Sequence, residues 1–139
     1  LCNRILQGGV PKCYCALVRG KPDDAALEAM AAGGMHLRGK TTAACSVRRL
    51  AWEETQVAML PVPAQIARTQ VTPDTSTWLE VILCEGGNRQ VRKLTAHNGH
   101  ATLRLVRVGV GGMRLEELAL APGEWRSVER RAVLNESCT

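Results

Sequence analysis

Residues 78–98 constrain this chain more than any other stretch: an apolar run ending at Cys84, then E-G-G-N-R-Q-V-R-K-L-T-A-H-N. Successive side chains of a strand point to opposite faces. Over 78–84 that places Leu79, Val81 and Leu83 on one face and Trp78, Ile82 and Cys84 on the other. Only Glu80 interrupts, so the segment reads as a strand covered on both sides and therefore central in its sheet. Gly86 and Gly87 supply a tight turn and Asn88 a cap for the helix expected over 88–97, whose apolar positions are Val91 and Leu94. Asn98-Gly99 ends it. Arg89, Arg92 and Lys93, spaced three and four apart, fall on one side of the first turns. A helix N-terminus already carries partial positive charge, so cations placed there imply an anion to meet them.

The charge distribution agrees. The net charge is +5, yet residues 86–115 hold six Lys/Arg and no Asp/Glu, which leaves 12 basic against 13 acidic residues elsewhere. The basic character is one patch, the electrostatic footprint of a polyanion partner. A solvated basic face without a ligand is the other reading.

At 139 residues the chain reads as one domain, with a core over about 10–128 and a polar, frayed tail from 129 to 139. Three Trp, one Tyr and no Phe leave the core to aliphatic side chains. No apolar run is long enough to span a bilayer and no signal peptide is recognisable, so a cytoplasmic location and no membrane partner are expected. The chain begins at Leu1, as a sequence cut from something longer or started at an unusual codon would. The six cysteines (Cys2, Cys13, Cys15, Cys45, Cys84, Cys138) form no C-x-x-C pair, which points to small buried thiols in a reducing compartment and to no metal site.

The other elements follow from local signals. Residues 12–18 are β-rich and end at Gly20, with Cys13 and Cys15 on one face. Lys21-Pro22-Asp23-Asp24 starts a helix that runs to 32 and stops at Gly33-Gly34. Strands are expected over 35–37 and 43–52, the latter with Cys45, Val47 and Arg49 on one side. Residues 53–73 contain Pro61, Pro63 and Pro73 and read as strand-like pieces and a loop. A strand over 102–110 should put Leu103 and Leu105 on one face and Arg104, Val106 and Val108 on the other. A short helical turn over 113–120, a tight turn at 121–123 and a last strand over 125–128 complete the chain. The sum is an α+β domain: a mainly antiparallel mixed sheet packed by two helices.

The run Glu85-Gly86-Gly87-Asn88-Arg89-Gln90-Val91-Arg92-Lys93-Leu94 resembles the E-G-R-N-R-Q-V-R-R-M motif of the RsuA-type ribosomal RNA pseudouridine synthases. The likeness continues through Thr95-Ala96-His97, Thr102-Leu103-Arg104-Leu105, Arg107 and Ala121-Pro122-Gly123-Glu124-Trp125-Arg126. Upstream, Lys12-Cys13-Tyr14 resembles the family's K-x-Y strand. It spans about 12–128, weakly over 53–73, and is most similar to the RluE branch, which modifies large-subunit rRNA. The resemblance implies a partial pseudouridine synthase catalytic domain acting on RNA, without cofactor or metal. In such enzymes an aspartate of a G-R-L-D motif is the nucleophile, the tyrosine of K-x-Y packs on the target base, and a basic residue after E-G pairs with the aspartate. The uridine must leave its stack to be reached.

Two parts of that constellation are not in this sequence. No G-R-L-D motif occurs; the only aspartates are Asp23, Asp24 and Asp74. Gly87 stands where the basic residue is expected, and glycine can neither hold a carboxylate ionised nor position it. The site positions matched to the family are thus Tyr14, Gly87 and Val91, with no catalytic residue. Arg89, Arg92, Lys93, Arg104 and Arg107 are the candidates for RNA contact. Tyr14 reads equally as a base-stacking residue or a core tyrosine, and Arg104 and Arg107 either line the same cleft or pair with Glu116, Glu117 or Glu124. His97 and His100 read as structural or surface residues. Three functions remain: part of a synthase inert alone, or active once a missing or separate N-terminal segment completes it; a free-standing RNA-binding protein; or an interaction protein without an RNA role. Under the last two, a homodimer through an uncovered sheet edge is expected.

Overall fold

The computed structural model describes residues 9–55 and 71–135. Five strands form one sheet in the order β4-β5-β1-β6-β7: β1 (Lys12–Arg19), β4 (Ser46–Leu50), β5 (Ser76–Leu83), β6 (Thr102–Val110) and β7 (Met113–Arg114). All their pairings are antiparallel. A small hairpin, β2 (His36–Leu37) and β3 (Lys40–Thr41), stands apart. The helices are α1 (Asp24–Ala32), α2 (Gln90–His97), α3 (Leu115–Leu118) and α4 (Arg130–Leu134), with a 3₁₀ turn at Trp52–Glu54. The α+β expectation therefore holds. The middle strand is β1, with β5 beside it and covered in turn by β4.

Register explains the two-sided burial of β5. Tyr14 lies opposite Val81 and Ala16 opposite Leu79, while Leu17 lies opposite Trp78. One face joins Ala16, Val18, Leu79, Val81 and Leu83 to Met30 of α1 and to Val91 and Leu94 of α2. Both longer helices thus cover one face of the sheet. The opposite face carries Cys15, Leu17 and Trp78, with Trp52 packed edge-on against Trp78 at 6.3 Å between ring centroids. β5, α2 and β6 make a β-α-β unit whose strands straddle β1, so α2 must cross over the sheet face that carries Tyr14.

α1 starts as its sequence signals, with the Asp23 side chain accepting from Ala26 N at 2.8 Å and Gly33 closing the end at φ 74°. Arg49 faces the same side as Val47, and its guanidinium donates to Pro22 O and Asp24 Oδ1, both at 2.7 Å. That tie holds the start of α1 against β4.

Four expectations are corrected. Residues 125–128 form no strand, and Trp125 is 83% exposed; β7 forms earlier and occupies the place beside β6. The tail is not frayed at its start, because α4 docks through Val133, which is 5% exposed. In β6, Leu103 packs with Val106 and Val108 on the Trp78 face while Leu105 joins the helix-covered face. Register shifts between Leu17 and Val18 and between Cys13 and Tyr14 mark bulges there, and an extra residue reverses the alternation. Finally, Cys84 is disulfide-bonded, whereas Cys13, Cys15 and Cys45 are free thiols. Disulfide pairing depends on proximity in the fold, not on spacing. The proline segment expected to be strand-like lies mostly outside the described residues.

Candidate RNA interface

The site is built where β5 hands over to α2 beside the start of β1. Tyr14 lies on the helix-covered face and packs, half-buried, against the cluster containing Val91. Its partner across β6 is Arg107. Two residues earlier on the same face is Lys12, 4% exposed, whose Nζ donates to Val10 O at 3.2 Å. Burial and the neighbouring Arg107 guanidinium push the Lys12 ammonium below its ordinary pKa, and Glu85 partly opposes them. Lys12 thus lies within the electrostatic reach of Arg107 and Glu85, with Tyr14 opposite Arg107.

Glu85 and Gln90 shape the turn. Glu85 Oε1 accepts from Ala43 N at 2.7 Å and from Gln90 Nε2 at 2.6 Å. The buried Gln90 amide then accepts from Gly87 N at 3.0 Å. This clamp replaces the side-chain cap expected from Asn88. The residue at the cap position is Arg89, in the left-handed region at φ 54°, ψ 34°, with no side-chain cap bond. The turn glycines themselves stay outside the positive-φ region. A Cβ at Gly87 would collide with Gln90 Oε1, so the glycine and the glutamine clamp are coupled.

The five cations expected at the interface separate. Arg89 is exposed at the lip of the turn and Lys93, half-buried, lies one helical turn further on. Arg107 is exposed beside Tyr14 and forms no ion pair among the described residues. Arg92 instead donates to Thr102 O at 3.1 Å and ties α2 to β6. Arg104 lies opposite Leu17, on the Trp78 face, and is 8% exposed. Arg104 and Arg107 therefore do not line one cleft, because Leu17 and Tyr14, the residues they face, point to opposite sides of β1. His100 is structural: its Nδ1 lies 2.9 Å from Arg19 O.

Sequence reasoning did not single out Lys12 and Glu85 as site residues, although each opens a motif that drew attention. It also missed the cations of the β2–β3 hairpin. The hairpin and α2 bound a groove of about 560 Å³ lined by Gly34, Met35, His36, Leu37, Lys93, Ala96 and His97. Among the described residues no helix is long and apolar enough to cross a membrane.

No protein-family model matches the chain. It is 44% identical over 123 residues to ribosomal large subunit pseudouridine synthase E of Xanthomonas campestris pv. campestris, a match covering 88% of this chain and 62% of that protein. To the protein of the same name from Vibrio vulnificus it is 38% identical over 118 residues, covering 85% of this chain and 47% of the relative. The chain thus spans about half to three-fifths of the length of these curated relatives. Its fold is similar to that in a crystal structure of a pseudouridylate synthase, with a TM-score of 0.60 at 20% identity over 89% of this chain and 44% of that one.

Proposed function

We propose that this chain, homologous to part of the ribosomal large subunit pseudouridine synthases E, binds RNA through the face bearing Tyr14 and does not isomerise uridine by itself. The observation that carries the reading is the assembly around one turn. Tyr14 and Val91 pack in one cluster, Gly87 lies in the turn that leads from β5 into α2, and Arg89 and Arg107 are exposed, Arg89 in that turn and Arg107 opposite Tyr14. Names of the relatives supply the chemistry, uridine isomerisation in ribosomal RNA, for which a base must be extruded and its flanking phosphates held. Exposed guanidinium groups beside a tyrosine suit that task, since guanidinium pairs with phosphate and the ring offers a face to a base. The chemistry itself needs a nucleophile and a cation beside it. This sequence has no G-R-L-D aspartate, and position 87 is glycine.

Binding to a uridine-rich single-stranded RNA, followed against salt, tests the first half. Affinity should fall with salt, and Arg89→Ala with Arg107→Ala should reduce the log–log slope by about 1.4, or about 0.7 per phosphate contact. An unchanged slope would remove these residues from the interface. Tritium release from RNA labelled at C5 of uridine tests the second half; background release is expected, and release above it would overturn the reading of Gly87.

A second element of the proposal is a homodimer through β6. Among the described residues the outer edge of β6 is paired only at Gly109 and Val110, by β7. An open row of backbone donors and acceptors invites another strand. Light scattering should report twice the monomer mass; a monomer at all concentrations would remove this element.

A further inference from the structure

We infer that the groove between the β2–β3 hairpin and α2 seats a single-stranded RNA segment next to the one at Tyr14; this rests on the RNA-binding reading above. The groove's lining contains Lys93, His36 and His97 and no carboxylate, and its floor is apolar through Met35, Leu37 and Ala96. Arg38 and Lys40 stand exposed on the hairpin that forms one wall. A cationic rim over an apolar floor is the chemistry of single-strand binding, where phosphates meet the cations and unstacked bases lie on flat side chains. A duplex buries its base faces and would use only the rim. The two imidazoles are the flat groups available here.

Continuity with the Tyr14 site supports the same occupant. Arg89, Lys93 and His97 recur every four residues, so one line of side chains runs from the turn at Gly87 along α2 and into the groove. At 1.5 Å per residue that line is about 12 Å long. Backbone strain falls at its margins. Arg38 at φ 48° and Arg89 at φ 54° are two of the three non-glycine residues with positive φ among those described. Arg38 and Gly39, at φ 78°, form the tight turn of the hairpin, a place where asparagine or glycine is the easier residue. Arginine held there against that preference points to a use for its charge.

The test is the salt dependence of a fluorescent oligouridylate binding to the full chain. The triple variant Arg38→Asn, Lys40→Gln, Lys93→Gln keeps residues compatible with the turn and the helix. It should bind severalfold more weakly and lose about 2 from the log–log slope, three contacts at about 0.7 each. Wild-type binding that persists unchanged in the triple variant, while Arg89→Ala with Arg107→Ala weakens it, would overturn the groove and leave the Tyr14 face standing. Wild-type chain that binds no RNA would overturn both. Photo-crosslinking of wild-type chain to 4-thiouridine RNA gives an answer independent of the variants' folding. Crosslinked peptides should include residues 34–41 or 93–97, and crosslinks confined to other segments would overturn the inference.

Discussion

Gly87 and Gln90 define each other. The Gln90 side chain fills the space a Cβ at 87 would need, and it does so while bridging Glu85 to the backbone of the turn. An arginine at 87 must therefore displace the glutamine and leave the half-buried Glu85 carboxylate with one partner fewer. Gly87→Arg is expected to cost about 1.5–3 kcal/mol, the range for a hydrogen bond to a charged group. A urea midpoint that falls with unchanged m-value would register it. The same variant should steepen the salt dependence of RNA binding and still release tritium only at background, because the aspartate of the resemblance is not in this sequence. A Gly87→Arg chain as stable as wild type would show that the clamp is dispensable.

Among elements, α4 docks through the buried Val133 side chain and a close approach of its backbone to Gly111. Gly111 follows β6 at φ 56°, and a Cβ there would run into the Val133 carbonyl. Gly111 N also donates to Pro11 O at 2.8 Å, so the β6–β7 turn touches both the start of β1 and α4. Gly111→Ala is expected to destabilise by about 1–3 kcal/mol, through both the positive φ and the displaced helix. Amide exchange should show faster opening of residues 130–134 in that variant than in wild type, and equal protection would mean that α4 docks without the close approach. α2 is held differently, by Arg92 on Thr102 O and by Thr95 Oγ1 at 2.7 Å from Thr102 Oγ1. Those bonds turn one cation of the motif inward and leave Arg89 and Lys93 for a ligand.

For the whole molecule, partial burial of thiols makes stability fall at alkaline pH. Cys15 and Cys45 are each pushed from 9.0 up to about 11, chiefly by burial, and Cys13 moves the same way. In the unfolded chain these thiols ionise first, so the stability they contribute is fully present below pH 9 and is lost as pH rises through about 11. Lys12 has the opposite sign: its pKa is lowered by burial, and its cost is relieved as it deprotonates towards 10.5. The urea midpoint should fall from pH 8.5 to 10.5. Cys45→Ala should make that fall shallower and Lys12→Gln should make it steeper. A midpoint independent of pH over this range would contradict the burial of the thiols.

Much of this protein can be read from its residues because local chemistry fixes it. Alternating apolar side chains on both faces of residues 78–84 require a covered strand, Asp23 and Gly33 bracket a helix, and the ordered motifs from Lys12 to Arg126 carry the resemblance. Alternation also puts Arg104 and Arg107 on opposite faces of β6; what it cannot foresee is a bulge, and the one at Leu103 carried that side chain onto the Trp78 face. Spacing along α2 likewise placed Arg89, Arg92 and Lys93 together, but only the position of β6 shows that Arg92 turns a guanidinium N–H onto Thr102 O. The disulfide at Cys84, the docking of Val133 and the groove opposite the hairpin all depend on segments distant in sequence. Such contacts are set by how elements pack, which periodicity within any one of them does not encode. The sequence by itself determined the strand, the glycine turn, the cationic helix and the glycine at 87; tertiary packing decided which cations remain to meet an anion.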